Sequence, residues 1–120
     1  FQNNLSAILK AADYIIMPSR QEGMPNVVME SMALGKPVLA ANVNGVPELM
    51  SHRKTGFIFK SMKVSSICEA MTFVMNHHGS EEIANWGIAA KKHVRDHFTL
   101  DTMIDRLESY FYEQYAQTHR

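Results

Sequence analysis

Glu22 and Glu30 stand eight positions apart in the stretch Glu22-Gly23-Met24-Pro25-Asn26-Val27-Val28-Met29-Glu30. An ionised carboxylate is a hydrogen-bond acceptor only, which suits it to the hydroxyls of a sugar. Gly23, with no Cβ, lets a ligand come close to the backbone. Pro25 fits the first position of a helix, and the unbonded amides of a helix start receive phosphate oxygens. Residue types and spacing together point to a ligand that carries both hydroxyls and phosphates.

The flanking sequence says how such a stretch is held. Before it runs Asp13 to Pro18, with the apolar core Tyr14-Ile15-Ile16-Met17, a short strand of buried type. After Pro25 come Val28, Met29, Met32, Ala33 and Leu34 at helical spacing, with Gly35 just past the end. Pro37-Val38-Leu39-Ala40-Ala41 reads as a second buried strand, Asn44-Gly45 as a turn, and Val46 to Met50 as a short helical turn. Thr55-Gly56 precedes a third brief strand, Phe57-Ile58-Phe59. A first helix is expected near residues 4–12, with Leu5, Ile8, Leu9 and Ala12 on one face. Strands alternating with helices predict an α/β fold with a parallel sheet of right-handed crossovers. Three strands make half of a Rossmann-like doubly wound sheet, not a whole one. Ligands of such sheets sit beyond the carboxyl ends of the strands, where the loops Ser19 to Met24 and Asn42 to Gly45 belong.

From Val64 the pattern is helical only, so a strand-and-helix part over about 1–60 precedes a helical part over about 64–120. Ser66-x-x-Glu69 reads as a capping box ahead of Ala70, Met71, Val74 and Met75. Ser80 is placed to cap the next helix, which carries Ile83, Trp86, Ala90 and Val94 to about His97. Thr99 is placed to cap the last, where Leu100, Met103, Ile104, Leu107, Tyr110, Phe111 and Tyr115 form one apolar stripe. That stripe fits ordinary core packing and packing against a further domain equally.

Composition bounds the function. The 120 residues carry 46% hydrophobic residues and no net charge, enough for one core and too little field to recruit nucleic acid. The basic clusters His52-Arg53-Lys54 and Lys91 to Arg95 read as solvated surface. The lone Cys68 excludes an internal disulfide; it falls near the start of its helix and, without a partnered base, reads as structural. His93 and His97 lie four apart on one helix, but no third ligand is evident, so no metal is expected there. No apolar stretch reaches the ~20 residues of a membrane helix. Phe1 in place of an initiator methionine suggests part of something longer.

The string Pro18-Ser19-x-x-Glu22-Gly23-x-Pro25, then Glu30-x-Met32-Ala33-x-Gly35-x-Pro37-Val38, resembles the donor-site signature of retaining glycosyltransferases of the family 4 type. These are built on the two-Rossmann-domain (GT-B) fold. The resemblance continues through Gly45-Val46-Pro47-Glu48-Leu49 and Thr55-Gly56, and covers essentially the whole chain.

The resemblance implies a donor-binding part of an enzyme that moves a sugar from a nucleotide-diphosphate sugar to an acceptor with retention. It implies that Glu22 accepts from the donor sugar's hydroxyls and stabilises charge near the anomeric carbon. Glu30 would accept from the ribose. The backbone of Gly23 and Met24 would approach the sugar and phosphate, with amides of Asn26, Val27 or Val28 as donors, because Pro25 has none. The Asn26 side chain reads as a cap, Arg20 as a loop charge and Glu48 as a cap partner. Relatives of this type are usually metal-independent and need no cofactor. They use a basic pair on the diphosphate and an N-terminal domain that binds a glycan, lipid or small-molecule acceptor, and neither is in these 120 residues. The 120 residues alone are therefore expected to be inactive, and prone to oligomerise at the open edge of the first strand. The whole protein would be cytoplasmic or at the inner face of a membrane, with peripheral association allowed, in glycan or surface-polysaccharide synthesis. A non-catalytic nucleotide-sugar-binding or regulatory module, and a plain α/β domain without ligand, stay open as alternatives.

Overall fold

Three short parallel strands lie side by side in the order of the chain. The computed structural model describes residues 4–118. The elements run α1 (Leu5–Ala11), β1 (Ile15–Met17), α2 (Asn26–Ala33), β2 (Val38–Ala41), α3 (Val46–Leu49), β3 (Phe57–Phe59), α4 (Val64–Asn76), α5 (Glu81–His97) and α6 (Leu100–Thr118). β1 pairs with β2 in the register Ile15–Val38 to Met17–Ala40, and β2 with β3 in the register Leu39–Phe57 to Ala41–Phe59. The fold is the expected α/β half-sheet with helices following. Phe1, Gln2 and Asn3, read as the lead-in to the first helix, lie outside the described residues.

β2 is buried along its whole length, as a central parallel strand covered on both faces must be. Its side chains alternate between two cores. Val38 and Ala40 join Met17, Val28, Met32, Val46, Leu49, Ala90 and Val94 on one face. Leu39 and Ala41 join Phe57, Phe59, Ala70, Val74, Ile83 and Trp86 on the other. α5 serves both faces, its first half through Ile83 and Trp86 and its second through Ala90 and Val94. Each large side chain so buried contributes roughly 1.5–3 kcal/mol.

α2 stops as its sequence predicts. Gly35 has φ 71°, its N–H donates to the Met32 carbonyl (2.9 Å), and Lys36 N–H donates to that of Ser31 (2.9 Å). This is the Schellman pattern that satisfies the last carbonyls. Asn4, Ser80 and Thr99 each cap the helix that follows, through amides three residues on.

Several expectations are corrected. The Ser66–Glu69 capping box does not form, because α4 starts earlier, at Val64, where the Lys63 carbonyl takes the amides of Ser66 and Ile67. Ser66 instead bonds its hydroxyl to that of Ser61 (2.8 Å). Cys68 thus lies beyond the first turn and is exposed, not a packed structural residue. Pro25 is the N-cap of α2 rather than its first helical residue. Arg53 is more than a solvated charge: it pairs with Glu82 (2.8 Å) and lies 4.5 Å from the centre of the Phe73 ring. Among the described residues the α6 stripe finds no core, since no residue of that helix is buried.

Candidate functional site

The loop from Pro18 to Pro25 leaves the C-terminal end of β1, and Asn42 to Gly45 leaves the same end of β2. The expected stretch therefore stands at the carboxyl edge of the sheet, where a short loop can turn its polar groups outward. Val28 and Met32 fix α2 beneath it, both fully buried against the sheet. Ser31, also buried, returns its hydroxyl to the Val27 carbonyl (2.6 Å) and costs the core no open polar group.

The start of α2 is left uncapped. Pro25 has no side-chain bond to offer, and no acidic residue occupies the first turn. Its carbonyl accepts from the N–H of Val28 (3.0 Å) and of Met29 (3.2 Å). Val28 is therefore spoken for, and the expected donors narrow to the amides of Asn26 and Val27, which have no partner among the described residues. The Asn26 side chain caps nothing, contrary to expectation, because Pro25 holds the cap position. Glu48 likewise makes no cap bond and is exposed on α3, whose N-cap is Gly45.

Most of the expected site residues reach solvent. Glu22 is half-buried in the loop; Gly23, Met24 and Asn26 are exposed; Val27 is half-buried; and Glu30 is exposed one turn along α2. Carboxylates thus sit before and after two free amides, with the partial positive charge of the helix start between them. Groups of these types can accept hydrogen bonds from hydroxyls and donate them to an anion. Arg20 is exposed, as expected of a loop charge.

One contact was not anticipated. A Cβ built on Gly45 would overlap the carbonyl oxygen of Gly23, 3.0 Å from its carbon, and lie 3.2 Å from Cδ of Pro25. The β2–α3 turn is thus pressed onto the loop that carries Glu22. The Asn44-Gly45 pair signals a turn, but nothing in it signals which other segment the turn will touch.

Other constellations lead elsewhere. The rings of His93 and His97 are 4.9 Å apart, and among the described residues no group of three or more His, Cys, Asp or Glu is placed to hold a metal ion. His77 and His78 are engaged at the end of α4, His77 with the Phe73 carbonyl (2.8 Å) and His78 with the Tyr14 hydroxyl (2.6 Å). An apolar groove of about 580 Å³ runs between α2 and α6, and Met24 and Met29 form its wall nearest the site. No helix among the described residues is long and apolar enough to cross a membrane.

The chain is similar to several known proteins. The chain is 25% identical over 113 residues to N-acetyl-alpha-D-glucosaminyl L-malate synthase of Bacillus anthracis, spanning 93% of the chain and 29% of that protein. It is 32% identical over 74 residues to UDP-Gal:alpha-D-GlcNAc-diphosphoundecaprenol alpha-1,3-galactosyltransferase of Escherichia coli, spanning 62% of the chain and 19% of that protein. The chain thus spans less than a third of the length of these relatives. Its fold matches that of Anabaena Alr3699/HepE, solved in complex with UDP, with a TM-score of 0.85 at 21% identity over 94% of the chain and 31% of that structure. The model of the family described as Glycosyl transferases group 1 matches residues 1–93, and the chain belongs to that family.

Proposed function

We propose that the chain is the donor-binding part of a retaining glycosyltransferase of the family 4 type, using a nucleotide-diphosphate sugar. The observation that carries this reading is the uncapped start of α2. Two free amides, of Asn26 and Val27, stand between Glu22 in the loop and Glu30 on the helix. A diphosphate seated over those amides puts a sugar at one carboxylate and a ribose at the other. Glu22 accepts from the sugar hydroxyls and stabilises the positive charge that develops near the anomeric carbon as the diphosphate leaves. Glu30 accepts from the ribose hydroxyls. Each charge-assisted bond is worth roughly 1.5–3 kcal/mol. Support comes also from the relatives, one of which is named for a UDP-Gal donor, and from the fold neighbour that was solved with UDP.

The acceptor, and the basic groups that neutralise the rest of the diphosphate, belong to parts of the protein outside these residues. Transfer therefore needs those parts, and needs no metal ion. The acceptor is a glycan, a lipid or a small molecule, handled in the cytoplasm or at a membrane's inner face; the relatives include one named for L-malate and one named for a diphosphoundecaprenol-linked sugar. Titration of the full-length protein with UDP, GDP and ADP sugars tests the reading. Glu30→Ala should weaken every nucleotide, sugar-bearing or not, whereas Glu22→Ala should weaken mainly the sugar-bearing ones and abolish transfer. Binding of no nucleotide sugar by the wild type would overturn it, and binding without transfer to any acceptor would mark a regulatory module instead.

A further inference from the structure

We infer that Gly45 is a positioning residue for the loop that carries Glu22: its missing side chain lets the β2–α3 turn hold the Gly23 carbonyl, and so aim the Gly23–Met24 peptide at the donor. The inference rests on the donor-binding reading above and deepens it.

Two features make Gly45 a glycine position. Its φ of 82° lies in the left-handed region that side chains disfavour. Its Cβ direction is also filled, by the Gly23 carbonyl and by Cδ of Pro25. The first feature is shared with Gly79, φ 75°, where a Cβ would meet nothing within 4 Å. Only the second singles out Gly45 as touching the site.

The turn is the stiffer partner in that contact. Gly45 is buried and runs directly into Val46 and Leu49, both fully buried, and its carbonyl accepts from the Leu49 N–H (3.2 Å). Gly23 is exposed, and a Cβ on it would meet nothing within 4 Å. A side chain at Gly45 would therefore displace the loop rather than the turn. Across a planar trans peptide the carbonyl and the next N–H point in opposite directions. With the Gly23 oxygen held against Gly45, the Met24 N–H is held facing away from the turn, and pushing the oxygen aside rotates that donor too. The sugar end of the site loses its geometry, while Glu30, on the packed helix, keeps its place.

The test compares Gly45→Ala with Gly79→Ala in the full-length protein. Calorimetry measures the tightest-binding of UDP-, GDP- and ADP-glucose, and the matching nucleoside diphosphate. Gly45→Ala should weaken the nucleotide sugar about tenfold or more, the scale of a misplaced positioning group, and the diphosphate less than about threefold. Gly79→Ala should leave both affinities unchanged while lowering the melting temperature. Equal losses for the two ligands, or no loss, would overturn the role of Gly45. Should Gly45→Ala fold poorly, Gly45→Asn presents the same Cβ with a residue that tolerates positive φ, and the same split is expected of it. Failure of the wild type to bind any of the ligands would overturn the donor-binding reading itself, a result distinct from either.

Discussion

Gly87, in the middle of α5, packs directly on the carbonyl of Gly35, the residue that ends α2. A Cβ built on Gly87 would overlap the Gly35 oxygen and lie 3.2 Å from its carbonyl carbon. In the other direction, a Cβ on Gly35 would sit 3.6 Å from the Gly87 oxygen, an ordinary contact. The two helices therefore meet backbone to backbone at the C-terminal end of α2. That contact sets the distance of α2 from α5, and with Val28 and Met32 packed on the sheet it fixes the axis along which the free amides of Asn26 and Val27 point.

Gly87→Ala should destabilise the fold, although alanine is the better helix former by about 1 kcal/mol. The added methyl meets a backbone carbonyl that cannot rotate away, and overpacking of this kind costs about 1–3 kcal/mol. Thermal or urea melts of the variant measure the balance. A raised melting temperature would show that α2 and α5 are not in contact at Gly35.

Gly23→Ala should separate stability from binding. A Cβ there meets nothing within 4 Å, and Gly23 is not among the glycines with positive φ. The folded chain thus has no need of a glycine, and replacing it should leave stability level or raise it by about 0.4–1 kcal/mol through the unfolded state. If a donor approaches the backbone at Gly23, the same methyl should weaken nucleotide-sugar binding about tenfold. Melting curves and titration on one preparation give both quantities. Unaltered affinity would remove Gly23 from the site.

How much of this was legible in the sequence depends on range. The stop of α2 at Gly35, the caps at Ser80 and Thr99, and the buried run of β2 are local signals, written in neighbouring residues, and the structure bears them out. The Ser66–Glu69 pair is also local, yet fails, because several residues could start that helix and the Lys63 carbonyl wins. The candidate site was legible only as residue types in a given order. Which amides remain free was not, since that turns on Pro25 giving its carbonyl to Val28 and Met29. Nor were the Gly45–Gly23 and Gly87–Gly35 contacts, which join segments distant in the chain and leave no periodic trace.

Tyr14→Phe should flatten the alkaline limb of the stability profile. Partial burial, and secondarily the charge of Asp13, push the Tyr14 phenol above its ordinary value, so the fold favours its neutral form. In the unfolded chain it ionises near pH ~10. Its contribution is therefore fully present below that pH and is lost as pH rises through the higher folded value. The variant also loses the hydroxyl's bond to the Val74 carbonyl (3.3 Å) and the bond it shares with His78 Nδ1 (2.6 Å), so it should be less stable at neutral pH as well. Urea melts between neutral and strongly alkaline pH, for wild type and variant, check both effects. Parallel profiles across that range would rule out Tyr14 as the source of the slope.

Ending the chain after Thr99 should hardly change the stability of what remains. Leu100, Met103, Leu107, Tyr110, Phe111 and Tyr115 stay between 47% and 67% exposed, so removing α6 takes little apolar area away from contact with the rest. The main exception is the groove beside Met24 and Met29, where Leu100, Met103 and Leu107 give α6 its footing on the site's side of the molecule. The last helix should thus behave as a separate, weakly coupled unit in these 120 residues: lost from the far-ultraviolet signal on truncation, with the melting midpoint of the α/β part moving by a few degrees at most, about 1 kcal/mol for a domain of this size. The aromatic stripe should at the same time lower solubility when present and raise it when removed, since exposed apolar patches promote association. A large fall in melting temperature on truncation would mean that α6 folds back onto the sheet and covers apolar surface there.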